Sequence, residues 1–258
     1  MHSSAITAAE PRPAGTDAAD RLIVALDFPS AEGALDLVAR LEGRCRWFKV
    51  GMELYYAAGN RIIEQLRERG HLVFLDLKLH DIPNTVASAV RTVASSGASL
   101  LTIHAGGGRK MMRAAADAAS APGAPRLLAV TVLTSMDSAE LRATGVCPEK
   151  GATPDTLAQS QVLRLARLAH EAGIDALVCS AEETSAIRDA LGAAPLLVVP
   201  GIRPAGSAAG DQSRIATPAD AIARGASMLV VGRPITQAAD PAKAAAAILD
   251  EIAAGMRV

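Results

Sequence analysis

Residues Val73 to Thr85 read VFLDLKLHDIPNT. Val73-Phe74-Leu75 is apolar and strand-like, and Leu77 and Leu79 continue that character. Asp76 and Lys78 interrupt it two residues apart. Residues two apart in a strand point to the same side, so a carboxylate and an ammonium would project together. Asp81 follows, just before Ile82-Pro83 breaks the strand. Burying an unpaired charge is costly unless it is neutralised or paired. The cluster is therefore a candidate for chemistry rather than packing.

Apolar runs recur on both sides of this stretch. Leu22 to Leu26 ends at Asp27, and Trp47 to Val50 is closed by Gly51. Leu100 to Ile103 ends at His104, and Leu127 to Val132 at Leu133-Thr134-Ser135. Ala176 to Val178 follows, then Leu196 to Val199 ending at Pro200-Gly201, and Met228 to Val231 ending at Gly232-Arg233. Helical signals fill the intervals. Ser30 is a good N-cap for a helix through Leu41, and a further helix ends near Gly70. Val86, Val90 and Val93 keep helical spacing in a helix from Ile82 to about Ser96. Others run from about Asp155 to Ala172 and from Pro241 to about Ala253. Eight strands thus alternate with eight helical connections. The strands are continuously apolar, as in a parallel sheet covered on both faces. The simplest α/β architecture is a (β/α)8 TIM barrel forming one catalytic domain over residues 21–258. A doubly wound open sheet is the alternative, because periodicity does not prove closure. Residues 1–20 are rich in Ala, Pro and small polar residues, without a basic-then-apolar signal, and read as a disordered extension.

Composition narrows the function. The 26 basic and 27 acidic residues leave a net charge of −1, so no basic excess is available to neutralise nucleic-acid phosphates. Aromatics at 2% provide no platform for stacking bases. No apolar run reaches the roughly 18 residues of a membrane span. Cys45, Cys147 and Cys179 form no CxxC, which fits reduced, mostly buried thiols in a cytoplasmic protein.

In such a barrel the C-terminal strand ends supply the active site. Here they carry Asp27, Lys49, Asp76 with Lys78, His104, Thr134, Gly201-Ile202-Arg203 and Gly232-Arg233. Asp27, Lys49, Asp76, Lys78 and Asp81 make a half of alternating charge from early strands. Gly201, Arg203, Gly232 and Arg233 make a glycine-rich cationic half, where barrels commonly hold phosphate. Glycine lets the backbone approach an anion, and arginine offers forked donors. From Gly201 to Thr217 runs a long loop of small and polar residues, with Gln212 placed to fold over the anion. Thr217-Pro218 then reads as an N-cap and first helical residue. His80, Asp81 and His104 are residue types that bind divalent cations. Lys78 beside them opposes a cation, and no HxxxH or HxH spacing exists, so no metal site is expected. His104 reads as support for the charged row or as a satisfied strand-end histidine. Gly106-Gly107-Gly108 lacks the spacing of a dinucleotide loop.

With these residues in place, the chain closely resembles the orotidine 5′-phosphate decarboxylase family in its bacterial form, over about Leu22 to Ile248. The most specific match is DLKLHDIPNT to that family's DxKxxDIPNT signature. LIVALD, FKVG, TVLTSM, VVPGIRP with GDQ, and VVGRPIT follow in the family's order. One departure is HAGGG at 104–108, where family members often have HASGG. The resemblance implies loss of CO2 from orotidine 5′-phosphate to give UMP, the last step of de novo pyrimidine synthesis, without cofactor or metal. It implies a charged network of Lys49, Asp76, Lys78 and Asp81, with Lys78 as proton donor. Asp27 and Lys49 would bind ribose hydroxyls. Asp81 and Thr85 would do so across the interface of a homodimer, and Thr134 would sit over the pyrimidine. Arg203, Gln212, Gly232 and Arg233 would take the phosphate. Two alternatives stay open on the same residues: a metal-assisted phosphosugar decarboxylase of the same superfamily, and a non-catalytic sensor of a phosphate ligand.

Overall fold

The computed structural model of the protein describes residues 17–147, 156–204 and 216–257. Among the described residues eight strands are present: β1 (Leu22–Leu26), β2 (Trp47–Gly51), β3 (Leu72–Leu79), β4 (Leu100–His104), β5 (Arg126–Val130), β6 (Ala176–Val178), β7 (Leu196–Val199) and β8 (Met228–Val231). Each pairs in parallel with its sequence neighbours, and β8 returns to β1 with Val230 opposite Ile23. That last pairing closes the barrel and rules out the open sheet.

Strand parity divides the core in two. Ile23, Trp47, Phe74, Leu100, Leu128, Leu196 and Met228 pack together inside the barrel. Their strand neighbours Val24, Phe48, Val73 and Leu101 belong to a larger cluster with helix residues such as Leu37, Ile62 and Val90. Successive side chains on a barrel strand alternate between these two layers. Two residues beyond Ile23, Trp47, Phe74 and Leu100, on the same inward parity, are Ala25, Lys49, Asp76 and Thr102. An apolar floor therefore carries a polar layer at the C-terminal mouth.

Local signals set the helices. Ser30 Oγ accepts the Gly33 N–H at 3.3 Å and starts Ala31–Arg40, which buries Ala34, Leu37 and Val38. Pro83 opens Pro83–Ala94, whose buried face is Val86, Ala87, Val90 and Val93. Thr217 Oγ1 accepts the Asp220 N–H at 3.2 Å at the start of Pro218–Ala223. Two details differ from the sequence reading. The segment after β2 forms two helices, Met52–Ala58 and Asn60–Glu68, parted at Gly59, whose φ of +59° favours glycine. A short helix, Ser138–Ala143, follows β5. Its cap Asp137 accepts the N–H groups of Ala139 and Glu140 at 2.8 and 2.9 Å. Those backbone hydrogen bonds, led by Glu140, hold the Asp137 carboxyl below its ordinary pKa.

Of the extension expected over 1–20, residues 1–16 lie outside the described residues, while Ala18–Asp20 form one 3-10 turn capped by Asp17. Among the described residues no helix is long and apolar enough to cross a membrane.

Candidate active site

The inward layer of β1, β2 and β3 places charges in alternating order. Lys49 Nζ lies 2.8 Å from Asp27 Oδ1 and 3.8 Å from Asp76 Oδ2. Lys78 Nζ donates to both oxygens of Asp76 at 2.9 Å. The Lys49 and Asp76 side chains are only 11% and 12% exposed, whereas Asp27 is 59% exposed at the rim. Solvent screens the outer pair, and the inner Lys-Asp-Lys group acts in a lower dielectric. Gly51 makes room for it. A Cβ there would stand 2.7 Å from Lys49 Nζ and 3.1 Å from Asp27 Oδ1, so a side chain would displace the ammonium.

The Asp76–Lys78 contact does not arise from regular alternation, as the sequence suggested. Between β3 and β4 the pairing passes from Leu75↔Leu101 to Leu79↔Ile103, four residues against two, so β3 bulges. Lys78 sits in the bulge with φ +49°, in the left-handed region that a non-glycine residue occupies at a cost. Thr102 of β4 bridges it. Its Oγ1 accepts the Lys78 N–H at 2.8 Å and donates to Asp76 Oδ1 at 2.9 Å. Sequence reasoning passed over Thr102. The available signal was a hydroxyl of inward parity in the otherwise apolar run Leu100 to Ile103.

The ring of His80 stacks on that of His104, with centroids 5.2 Å apart and planes 19° apart. His104 Nδ1 accepts the Gly106 N–H at 3.4 Å, so this hydrogen bond caps its own turn rather than joining the charged row. Burial first, and then the charges of His80 and Lys78, lower the His104 pKa and favour the neutral ring beside the ammonium. Among the described residues no group of three metal-ligating side chains is assembled.

Asp81 stands apart from the row. It is exposed, and its Oδ1 accepts the Ile82 N–H at 2.6 Å. Thr85 is likewise exposed in the first turn of Pro83–Ala94. The four-member network of Lys49, Asp76, Lys78 and Asp81 is thus assembled within one chain only as far as its first three members.

Lys49, Asp76 and Lys78 line a cavity of about 170 Å3 together with Phe74, Val130, Thr134, Val178, Cys179 and Val230. One side is ionic and the rest largely apolar. The space is smaller than the roughly 300–1,000 Å3 of a pocket for a whole ligand, so it suits the reacting part of one. Cys179, in the cavity wall, and Cys45, which does not line it, are buried, and burial pushes both thiols up to about 12, which leaves them unreactive. Cys147 is exposed, so two of the three thiols are buried, in line with the expectation of mostly buried thiols.

The cationic half follows β7 and β8. Gly201 has φ +78°, a turn that glycine takes without strain, and delivers Arg203 to a buried position 9% exposed. Arg203 is fixed by its N–H to Ala216 O at 3.0 Å and by Nη1 to Ile202 O at 2.9 Å. Burial first, and then the positive charge of Arg233, lower its pKa. Such a pair of cations is stabilised by an anion between them. Gly232 ties the halves together: a Cβ there would stand 3.6 Å from Ala25 Cβ and 3.9 Å from Asp27 Oδ2. Gln212 lies outside the described residues.

Known proteins resemble this chain over most of its length. The sequence pattern described as the Orotidine 5'-phosphate decarboxylase / HUMPS family matches residues 20–248. The protein named Orotidine 5'-phosphate decarboxylase in Halorhodospira halophila is 55% identical over 236 residues, spanning 91% of this chain and 96% of that protein. The Cutibacterium acnes protein of the same name is 49% identical over 238 residues, 92% of this chain and 98% of its own. Among solved structures, the orotidine 5'-phosphate decarboxylase of Lactobacillus acidophilus superposes with a TM-score of 0.77 at 39% identity, covering 90% of this chain and 98% of that one. An uncharacterized conserved protein of Geobacillus kaustophilus gives 0.75 at 41% identity, covering 90% and 99%. With a closed barrel, a Lys-Asp-Lys layer at its mouth and relatives matching over nearly their whole length, this chain belongs to the orotidine 5′-phosphate decarboxylase / HUMPS family.

Proposed function

We propose that the protein decarboxylates orotidine 5′-phosphate to UMP and CO2, the last step of de novo pyrimidine synthesis. The observation that carries this reading is Lys78, gripped by both oxygens of Asp76 at the wall of an otherwise largely apolar cavity. Breaking the C6–carboxylate bond of the pyrimidine leaves a carbanion that no adjacent carbonyl or imine delocalises. A fixed ammonium beside C6 stabilises that charge as it forms, without waiting for solvent to reorganise. The same ammonium then gives its proton to C6 and releases UMP. Asp76 holds Lys78 in place and, facing the departing carboxylate, disfavours the bound ground state. Thr134 lies over the ring, and Asp27 and Lys49 take ribose hydroxyls at the rim. Arg203, Arg233, Gly232 and Gln212 bind the phosphate, whose binding energy is available to close the loop over the reacting end. The reading assigns no cofactor and no metal.

The active unit in this reading is a homodimer. Asp81 and Thr85, both exposed on their own chain, complete the site of the partner subunit. Among the described residues, three large apolar side chains stay exposed, Met52 at 47%, Tyr56 at 79% and Ile82 at 67%, on segments leaving the adjacent strands β2 and β3. A second copy would cover them. A catalytic domain over 21–258 with an extension over 1–20, and a cytoplasmic location, complete the proposal. It includes no nucleic-acid or membrane partner.

Purified protein incubated with orotidylate and EDTA is expected to show the absorbance change of its conversion to UMP. Turnover that appears only when Mg2+ is restored would assign the chain to metal-assisted chemistry instead. Binding without turnover would make it a sensor. Arg233→Ala is expected to raise KM by on the order of 10- to 100-fold, the worth of a charge-assisted phosphate contact. An unchanged KM and kcat/KM would take Arg233 out of the site.

A further inference from the structure

Thr102 belongs to none of the motifs that mark the site, yet it touches both central charged residues. Its side chain is fully buried on β4. Its single hydroxyl donates to Asp76 Oδ1 at 2.9 Å and accepts the Lys78 N–H at 2.8 Å. That N–H belongs to the residue at φ +49°. Side chains hold this conformation only where the surroundings over-determine it. The bulge between Leu75 and Leu79 interrupts the ladder that would otherwise offer the N–H a carbonyl on β4. A buried N–H without an acceptor is costly, and the Thr102 hydroxyl replaces the missing carbonyl.

We propose that Thr102 is a positioning residue for the decarboxylation. It fixes the backbone of Lys78 in the left-handed turn and orients the Asp76 carboxylate so that Lys78 Nζ meets both oxygens. Packing alone does not account for this arrangement, because valine has nearly the same shape and no polar atom to satisfy. The hydroxyl is used at both its donor and its acceptor ends, and both bonds end on the reacting pair. The inference rests on the decarboxylase reading for its catalytic consequence, but not for the clamp itself.

The test compares the wild type, Thr102→Val and Thr102→Ser by kcat, KM, UMP affinity and amide hydrogen exchange at Lys78. Thr102→Val is expected to lose kcat by on the order of 10- to 100-fold, the worth of hydrogen bonds to a charged group. UMP affinity, set by the phosphate and ribose contacts, should stay nearly constant. Thr102→Ser keeps the hydroxyl and should regain most of the lost kcat. The Lys78 amide should exchange slowly in the wild type and Thr102→Ser, and much faster in Thr102→Val. A folded Thr102→Val with wild-type kcat, or a Thr102→Ser no better than Thr102→Val, would overturn the proposal. If Thr102→Val does not fold, the wild-type Lys78 amide decides: slow exchange supports the clamp, and exchange at the open-chain rate removes it. Absence of orotidylate turnover in the wild type would instead overturn the decarboxylase reading, and the exchange measurement would still judge the clamp.

Discussion

Lys78→Ala is expected to lower turnover of orotidylate by about 10⁴-fold or more while the barrel still folds. The size follows from two roles vanishing together: the fixed positive charge facing the carbanion and the proton that quenches it. Folding survives because Asp76 keeps Lys49 within 3.8 Å and the Thr102 hydroxyl at 2.9 Å, so its carboxylate is not stranded. Alanine also has no more difficulty than lysine with φ +49°, since both carry a Cβ. Steady-state absorbance assays and a thermal melt decide the point. Turnover near the wild-type rate in a folded Lys78→Ala would sink the assignment of Lys78.

The second large effect is expected at Asp76. Asp76→Asn keeps the shape but leaves the Lys49 and Lys78 ammonium groups facing a neutral amide. Lys78 keeps at most one of the two 2.9 Å bonds that fix its Nζ, now to a neutral amide oxygen, and the nearby cations lose their shared counter-charge. With Asp76 only 12% exposed, breaking this group should cost about 3 kcal/mol of stability. Activity should fall by about 10³-fold, because the cation is no longer preorganised. Urea unfolding and turnover measured on one preparation separate the two losses. A variant as active as the wild type would leave Asp76 a purely structural counter-ion, and one with unchanged stability would refute the burial argument.

What the sequence made legible follows from how directly physics writes each feature into residue types. The early strands were legible because an inward parity that is apolar below and polar above sets Asp27, Lys49 and Asp76 above their apolar floor, whereas β5 ends at Val130, two residues before the expected Val132. Barrel closure was not legible, because the pairing of β8 with β1 joins the two ends of the domain and leaves no local mark. The bulge at Lys78 was hidden for another reason. The run Val73 to Leu79 has the composition of a plain strand, and only the register against β4 shows the extra residues. Thr102 escaped notice because threonine is a good strand former anyway, so its hydroxyl carried no signal until its partners were in view. Asp81 was grouped with Lys78 by sequence proximity. β3 ends at Leu79, and Asp81 is exposed with its carboxylate accepting the Ile82 N–H.

The bulge bears on protein design. A designer wishing to transplant this ion layer into another barrel would naturally copy the DxKxxD string on a single strand. In this chain the backbone N–H of Lys78 donates its hydrogen bond to a residue 24 positions further on, in the neighbouring strand. The transferable unit is therefore a pair of adjacent strands with mismatched lengths and one hydroxyl between them. A graft of the string alone would carry the right side chains on the wrong curve of backbone.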